Sequence, residues 1–286
     1  MTALLEWGPY RLDLEKRTHV MGVLNVTPDS FSDGGQFFER EKAIEHGIAM
    51  AEEGADFIDI GGESTRPFSN PISVDEEAER VVPVIEALTR EVSIPISIDT
   101  WKGAVAREAL KAGASIINDI SALRLDPDLA SIAAAWGVPV ILMHMQGTPQ
   151  NMQKNPAYDD LIGEIKGFLQ DAVKRGTEAG IREELILIDP GVGFGKTFDH
   201  NLQIIKQLSQ FLSLGRPLLI GTSNKSFIGK VLQKEPDERV TGTMATVAMA
   251  AMLGAHVVRV HRVKEAVETV RMVDAVKRGT VKEAQT

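Results

Sequence analysis

The segment PISIDTWKGAVAREALKAGASIINDISALRLDPDLASIAAAWGVPVILMHMQGTP, residues 95–149, decides the fold. Three short apolar runs, Pro95–Thr100, Ile116–Ser121 and Pro139–Met145, are separated by two longer stretches, Lys102–Ala112 and Pro127–Trp136, with helical spacing. Gly113 and Gly137 fit the C-caps of those helices, where a residue without a Cβ turns the chain at no steric cost. The apolar runs are mostly continuous rather than alternating. Strands covered on both faces read this way, as in a parallel sheet flanked by helices.

Working outward, the same alternation continues in both directions. His19–Val26 and Phe57–Gly62 precede the segment as strand candidates; Leu185–Gly191, Pro217–Ser223 and Val257–His261 follow it. Between them lie the amphipathic stretches Arg40–Gly54, Val74–Val92, Tyr158–Ala179, Asp199–Leu212 and Lys264–Val276. Val74–Val92 carries Asp75, Glu76 and Glu77 in its first turn, where the helix dipole favours negative charge, and Ser73 is its expected N-cap. Strands alternating with helices around the whole chain predict an α/β fold, a single (β/α)8 TIM barrel, which typically runs to about 250 residues. A doubly wound open sheet is the alternative, and the even alternation favours the barrel. No linker or composition shift marks a second domain, so residues 1–286 are expected to form one unit with a core from about 18 to 280.

Composition narrows the function. The net charge is −9, and no Lys/Arg cluster stands out, which argues against a nucleic-acid surface. The absence of cysteine excludes disulfides, thiolate metal sites and thiol nucleophiles. Glu6, Arg11 and Asp13 break up any signal-peptide layout. The most apolar stretch, Thr243 to Val258, falls short of the roughly 20 residues of a spanning helix. A cytoplasmic protein without a membrane partner is the expectation.

Chemistry is concentrated where the strands finish. They end in Asn25, Gly61-Gly62, Asp99, Asn118-Asp119, His144, Asp189, Ser223 and Arg259-Val260-His261. In a parallel barrel all these ends meet at one mouth, so they predict an active site there. Side chains two apart in a strand share a face. Arg259 and His261 therefore point together, while Asn118 and Asp119 diverge and only one can face the pocket.

The run Asp189-Pro-Gly-Val-Gly-Phe-Gly-Lys196 has neither the spacing of a P-loop nor that of a dinucleotide fingerprint. It reads either as a plain connector or as a mobile loop holding Phe194 at the pocket rim, and the second is preferred. Lys225 opens a helix against the dipole, a mismatch that favours a functional role. Ser226 is either a helix cap or a ligand group. His144 reads equally as a core histidine, and His256, at the start of the last strand, as structural. No paired-histidine spacing suggests a transition-metal site. Asp59, mid-strand among apolar neighbours, needs a partner and is expected to play a structural part in the barrel. Arg66 and Arg259 are natural anion binders because a guanidinium fork grips phosphate oxygens. Two of them at one mouth, with Asn25, Thr65 and His261, suggest a site for a dianion such as pyrophosphate.

The stretches MGVLNVTPDSFSDGG, GADFIDIGGESTRP, SIDT, INDIS, LMHMQGTP, DPGVGFGK, SNKSFIG and VRVH, in order between residues 20 and 261, resemble the dihydropteroate synthase family. The first two are the specific ones. The resemblance implies condensation of 6-hydroxymethyl-7,8-dihydropterin pyrophosphate with p-aminobenzoate to give 7,8-dihydropteroate and pyrophosphate. By it, Asp99, Asn118, Asp189 and Lys225 should hold the pterin. Asn25, Thr65, Arg66, Arg259 and His261 should hold the pyrophosphate, with Mg²⁺ near Asn25. Asp33, Pro67, Phe194 and Ser226 should frame the p-aminobenzoate site. The resemblance further implies a homodimer, with excess apolar surface on the Thr243–Leu253 helix, and a sulfonamide target. One departure stands out: Ser223-Asn224-Lys225 replaces the Ser-Arg-Lys of many family members. The rivals are a pterin-binding methyltransferase domain serving a corrinoid partner and a non-catalytic pterin binder. The TPDSFSDGG and ESTRP loops speak against methyl transfer, which needs no pyrophosphate clamp.

Overall fold

The computed structural model describes residues 4–27 and 35–281, with the backbone alone for residues 35–39. Ten strands are described: β1 (Leu4–Trp7), β2 (Tyr10–Asp13), β3 (His19–Asn25), β4 (Phe57–Gly61), β5 (Ile96–Asp99), β6 (Ile116–Asp119), β7 (Val140–Met143), β8 (Ile186–Asp189), β9 (Leu219–Ile220) and β10 (Val257–Val260). The helices are α1 (Gly35–Glu52), α2 (Val74–Glu91), α3 (Gly103–Lys111), α4 (Asp128–Trp136), α5 (Leu161–Glu178), α6 (Phe198–Lys206), α7 (Ser226–Leu232), α8 (Val240–Met252) and α9 (Val263–Arg278).

The last eight strands form one parallel sheet in the order β8-β7-β6-β5-β4-β3-β10-β9. A parallel bridge between Ile188 and Leu218 joins β8 to β9 and turns the sheet into a barrel. This seam is the thinnest part of the ring. β9 spans Leu219–Ile220, shorter than the Pro217–Ser223 run suggests, because Pro217 has no N–H to donate to a ladder. Its carbonyl still accepts from the Ile188 N–H at 3.0 Å.

Side chains alternate across the barrel wall. Ile58, Ile60, Ile98, Ile117, Val140, Leu142, Ile186, Ile188, Ile220 and Val258 pack outward against the helices. Met21, Phe57, Ile116, Ile141, Leu187, Leu219 and Val257 form a second cluster near the strand starts, together with Leu5, Trp7 and Leu14. The antiparallel hairpin β1–β2 thus plugs the end of the barrel opposite the strand C-termini. The sequence signal for it is the alternation of Leu5 and Trp7 around Glu6, followed by Gly8-Pro9. This end is closed by apolar side chains, and the strand-end residues from Asn25 to His261 lie at the other end.

One helix start matches its sequence and another shifts by a residue. The cap of α2 is Ser73, whose hydroxyl accepts from the Glu76 N–H at 3.1 Å. In contrast, Ser226 is the first residue of α7 rather than its cap, a position taken by Lys225. Among the described residues no helix is long and apolar enough to cross a membrane.

Candidate active site

The floor of the mouth is a buried network centred on Asp59. This carboxylate, 0% exposed, accepts from Arg259 Nε at 2.6 Å and from Asn118 Nδ2 at 2.9 Å through one oxygen. Arg259 also donates from Nη2 to Asp99 at 2.6 Å. The strand register makes this arrangement possible: Asp59 lies beside Ser97, and Asp99 beside Asn118. The second oxygens of Asp59 and Asp99, and Ser97 Oγ, have no partner. Buried oxygens left open in this way carry a cost unless a ligand satisfies them. Asp59 therefore does more than the structural duty its sequence context suggests, because it fixes both Asn118 and Arg259.

Asn118 and Asp119 diverge as strand geometry requires. Asp119 turns outward and accepts from the Ser121 and Leu123 N–H groups at 2.7 and 2.6 Å, which holds the β6–α4 turn. Asn118 faces the interior. Since its amide nitrogen donates to Asp59, its carbonyl oxygen is the free end.

Asp189 closes the floor from β8. Burial pushes its carboxyl up to about 6, opposed by the Gly191 N–H at 2.7 Å and by the charges of Lys225, Lys196 and Arg259. Burial likewise pushes Asp99 up, to about 7; Arg259 opposes this, but shares its charge with Asp59. Burial and Arg259 bring the Lys225 ammonium down to about 8, against the pull of Asp189 and Asp99. For Arg259, burial works against the charge, but Asp59 and Asp99 outweigh it and raise its pKa. Lys225 Nζ stands 4.2 Å from the centre of the Phe194 ring. No acceptor among the described residues engages that ammonium.

The glycine-rich loop after β8 is tied to other segments by hydrogen bonds. Gln153 donates to the Gly193 carbonyl at 2.8 Å, Tyr158 to the Gly195 carbonyl at 2.7 Å, and Gly193 N–H to Asn201 at 2.7 Å. Lys196, 2% exposed, reaches the Phe194 carbonyl at 2.9 Å and His144 Nδ1 at 2.8 Å. Burial lowers the Lys196 pKa well below its usual value and, with the Lys196 charge, brings His144 down to about 2. The neutral imidazole thus accepts from the Lys196 amine, and His144 belongs to the scaffold. The glycines serve close approach: at positive φ, a Cβ on Gly191 would collide with the His144 carbonyl, and one on Gly195 with Gln146. Phe194 is consequently buried among Met143, Met145 and Met152.

The flank of the mouth is built from β3, β10 and the loop after β4. Asn25 and Asp99 flank Gly61: a Cβ placed there would lie 3.8 Å from Asn25 Oδ1 and 3.7 Å from Asp99 Oδ2. His261 meets Ser223 Oγ twice, through its backbone N–H at 3.2 Å and its Nδ1 at 2.9 Å. Ser223 Oγ accepts from the backbone N–H and can donate its own proton to Nδ1, an arrangement in which the ring proton of neutral His261 sits on Nε2. Burial, then Arg259, Lys225, Arg66 and His46, bring His261 down to about 4. Thr65 is half-buried, whereas Arg66 and Pro67 are exposed on the loop. Ser226 is exposed at the start of α7. The strand-end residues Asn25, Asp99, Asn118, Asp189, Arg259 and His261 thus converge with Lys225, while Pro67 and Ser226 stand at the rim. Asp33 lies outside the described residues. A cavity of about 550 Å³ opens beside Asn25 and His261, between α1 and α9.

Asn224, the departure from the family pattern, adopts φ 58°. Asparagine tolerates this left-handed conformation better than most residues. Its N–H donates to Thr243 at 3.2 Å and its carbonyl accepts from Arg239 at 3.0 Å, so the backbone here is well held. His256 Nδ1 accepts from the Leu218 N–H at 3.0 Å and secures the β9 seam, the structural part its position suggests.

Sequence reasoning missed the site role of Asp59, the part of Ser223 in orienting His261, and the burial of Lys102 and Lys196. A lysine buried by a fold has no local mark; only the setting of Asp59 among apolar neighbours was a visible signal.

Residues 21–261 match the family described as pterin binding enzymes. The dihydropteroate synthase of Bacillus subtilis (strain 168) is 48% identical over 274 residues, covering 96% of this chain and 94% of that protein. Among solved structures, Yersinia pestis dihydropteroate synthase in a sulfonamide drug complex superposes with a TM-score of 0.91 at 48% identity, covering 96% of this chain and 99% of that one. The Xanthomonas albilineans enzyme with 4-aminobenzoic acid gives 0.91 at 44% identity, covering 97% and 99%. These relatives are synthases rather than corrinoid methyltransferases. With a barrel mouth that combines a carboxylate-lined floor and a cationic flank, the chain belongs to the dihydropteroate synthase family.

Proposed function

We propose that the mouth carries out dihydropteroate synthesis with a division of labour set by the floor and the flank. The observation that supports it is the set of open acceptors around Asp59. Asp189 accepts the paired amino and ring N–H groups of the dihydropterin in a bidentate contact. Asn118 offers its carbonyl, Asp99 its unpartnered oxygen, and Lys225 a donor for a ring acceptor.

Arg259 spends Nε and Nη2 on Asp59 and Asp99. Its remaining N–H groups, with Arg66, Thr65, Asn25 and the Nε2–H of His261, receive the pyrophosphate. When the methylene–oxygen bond breaks, these donors take up the negative charge of the leaving group. The carboxylates of Asp59 and Asp99 face the positive charge left on the pterin methylene. The p-aminobenzoate nitrogen, held by Pro67, Ser226 and Phe194, then forms the C–N bond to that carbon and gives up its surplus proton to the departing pyrophosphate or to water.

Mg²⁺ fits this site as a substrate-borne ion. Among the described residues no trio of carboxylates or imidazoles forms a metal cage, and Asn25 supplies a single neutral oxygen. Mg²⁺ commonly binds through substrate phosphates and water with few protein ligands, so Asn25 would hold it against the pyrophosphate, where it would neutralise charge. The protein acts in the cytoplasm as a homodimer, with Met249, Met252 and Met272, exposed on α8 and α9, as the contact face.

The test is direct. Purified protein with Mg²⁺, the dihydropterin pyrophosphate and p-aminobenzoate is expected to form dihydropteroate. Normal pterin binding without product would refute the reading.

A further inference from the structure

The loop that follows β4 carries Thr65, Arg66 and Pro67, and both of its ends meet one buried ammonium. Lys102, 6% exposed, caps α3 just beyond the end of β5. Its Nζ bonds to the Glu63 carboxylate, to the Ile72 carbonyl at 2.8 Å and to Glu77 of α2 at 2.7 Å. Glu63 opens the loop, two residues beyond the end of β4, and Ile72 closes it just before α2. Arg80 of α2 adds a bond to the Gly62 carbonyl at 2.8 Å. At the far side, the Phe68 N–H donates to the Pro149 carbonyl at 3.0 Å, and Phe68 itself holds φ 66° and is 62% exposed.

A charged cluster is a costly fastener. Burial alone would lower Lys102 and raise Glu77; the two carboxylates reverse the first effect, so the Lys102 pKa is raised, whereas burial prevails at Glu77. An apolar contact would hold the helices together at least as well. What an apolar contact would not provide is a directed bond to Glu63 and another to Ile72, which fix the separation and orientation of the two loop ends.

We propose that Lys102, through Glu63 and Ile72, is the closure point of the 63–72 loop and positions Thr65 and Arg66 over the barrel mouth without touching substrate. This rests on the reading that the loop serves pyrophosphate and p-aminobenzoate rather than the pterin ring. Lys102 is thus a positioning residue. The pterin floor, built from strand residues, does not depend on it.

The experiment uses Glu63→Ala, which cuts the tether and leaves the Lys102–Glu77 pair in place. Its expected effects are a rise of at least about tenfold in KM for both substrates, since lost positioning weakens their capture, with the Kd for 6-hydroxymethylpterin unchanged. Chymotryptic cleavage after Phe68 should accelerate by about tenfold as well, since a loosened loop opens more often. Glu63→Gln, which keeps an acceptor for the ammonium, should restore most of both effects. The double variant Lys102→Met/Glu77→Gln, which leaves no unpaired charge between those two residues, should reproduce the Glu63→Ala pattern if it folds. Unchanged KM values with unchanged cleavage would overturn the proposal; so would an equal loss of pterin affinity, which marks a general structural role. If the native protein makes no dihydropteroate, the functional reading fails, and cleavage after Phe68 alone decides whether Lys102 closes the loop.

Discussion

Replacing Asp189 by asparagine should make this protein more stable and much less active. Burial raises the Asp189 carboxyl from 3.8 to about 6 in the folded chain. Below about pH 3.8 the group is protonated in both folded and unfolded states and contributes no difference. Between about 4 and 6 the unfolded chain ionises while the folded chain resists, so the folded state loses stability as pH rises. Above about 6 the penalty is complete, and the shift is worth about 3 kcal/mol. The asparagine side chain is neutral at every pH and nearly isosteric, and its oxygen can still accept from the Gly191 N–H. Urea unfolding of Asp189→Asn against the native protein should therefore give matching midpoints at about pH 3.5. By about pH 7.5 the variant should lead by about 1–3 kcal/mol, the range allowing for relaxation in the native protein. Dihydropteroate formation should fall at least about 100-fold, because two charge-assisted bonds to the pterin, each worth about 1.5–3 kcal/mol, cannot be remade by one amide. A variant less stable than the native protein at about pH 7.5, or a lead that does not grow between about pH 4 and 6, would refute the reasoning.

Other expectations follow from the same network. The kcat/KM for the dihydropterin pyrophosphate should be bell-shaped: the acid limb reports loss of the Asp99 carboxylate near 7 and of the Asp189 carboxylate near 6, and the alkaline limb, near 8, loss of the Lys225 proton. Lys225→Met should abolish the alkaline limb in a pH–rate profile. Asp59→Ala should destabilise the fold by about 1–3 kcal/mol, since it strips one of two carboxylates from half-buried Arg259, and should raise the pterin Kd because Asn118 loses its anchor; calorimetry and fluorescence titration measure the two. Arg259→Ala should weaken pyrophosphate binding far more than 6-hydroxymethylpterin binding, and equal losses would contradict the division between floor and flank. Leu5→Ala in the barrel plug should cost about 2–5 kcal/mol in urea unfolding with KM values unchanged, because the hairpin lies at the opposite end from the mouth.

Much of this protein is legible in its sequence. Alternation of continuous apolar runs with amphipathic stretches determines a parallel sheet flanked by helices, because strand and helix periods are local properties of the chain; it favours a barrel over a doubly wound sheet, and the Ile188–Leu218 bridge decides the closure. Polar residues at the strand ends mark the mouth, since a parallel barrel gathers all those ends on one side. Side-chain alternation by itself also separates Asn118 from Asp119. The tertiary structure decided what depends on residues far apart in the chain. Arg259 meets Asp59 across 200 residues, and no local pattern signals that pairing. The glycine-rich loop after β8 reads as mobile, yet Gln153, Tyr158 and Lys196 pin it, because hydrogen bonds from other segments override its backbone freedom. Lys102 is only the first residue of a helical stretch in the sequence; the packing of α2 and the β4 loop around it brings two carboxylates to its ammonium. Sequence period sets which way each side chain points, but the partner it finds is set by how the elements close on one another.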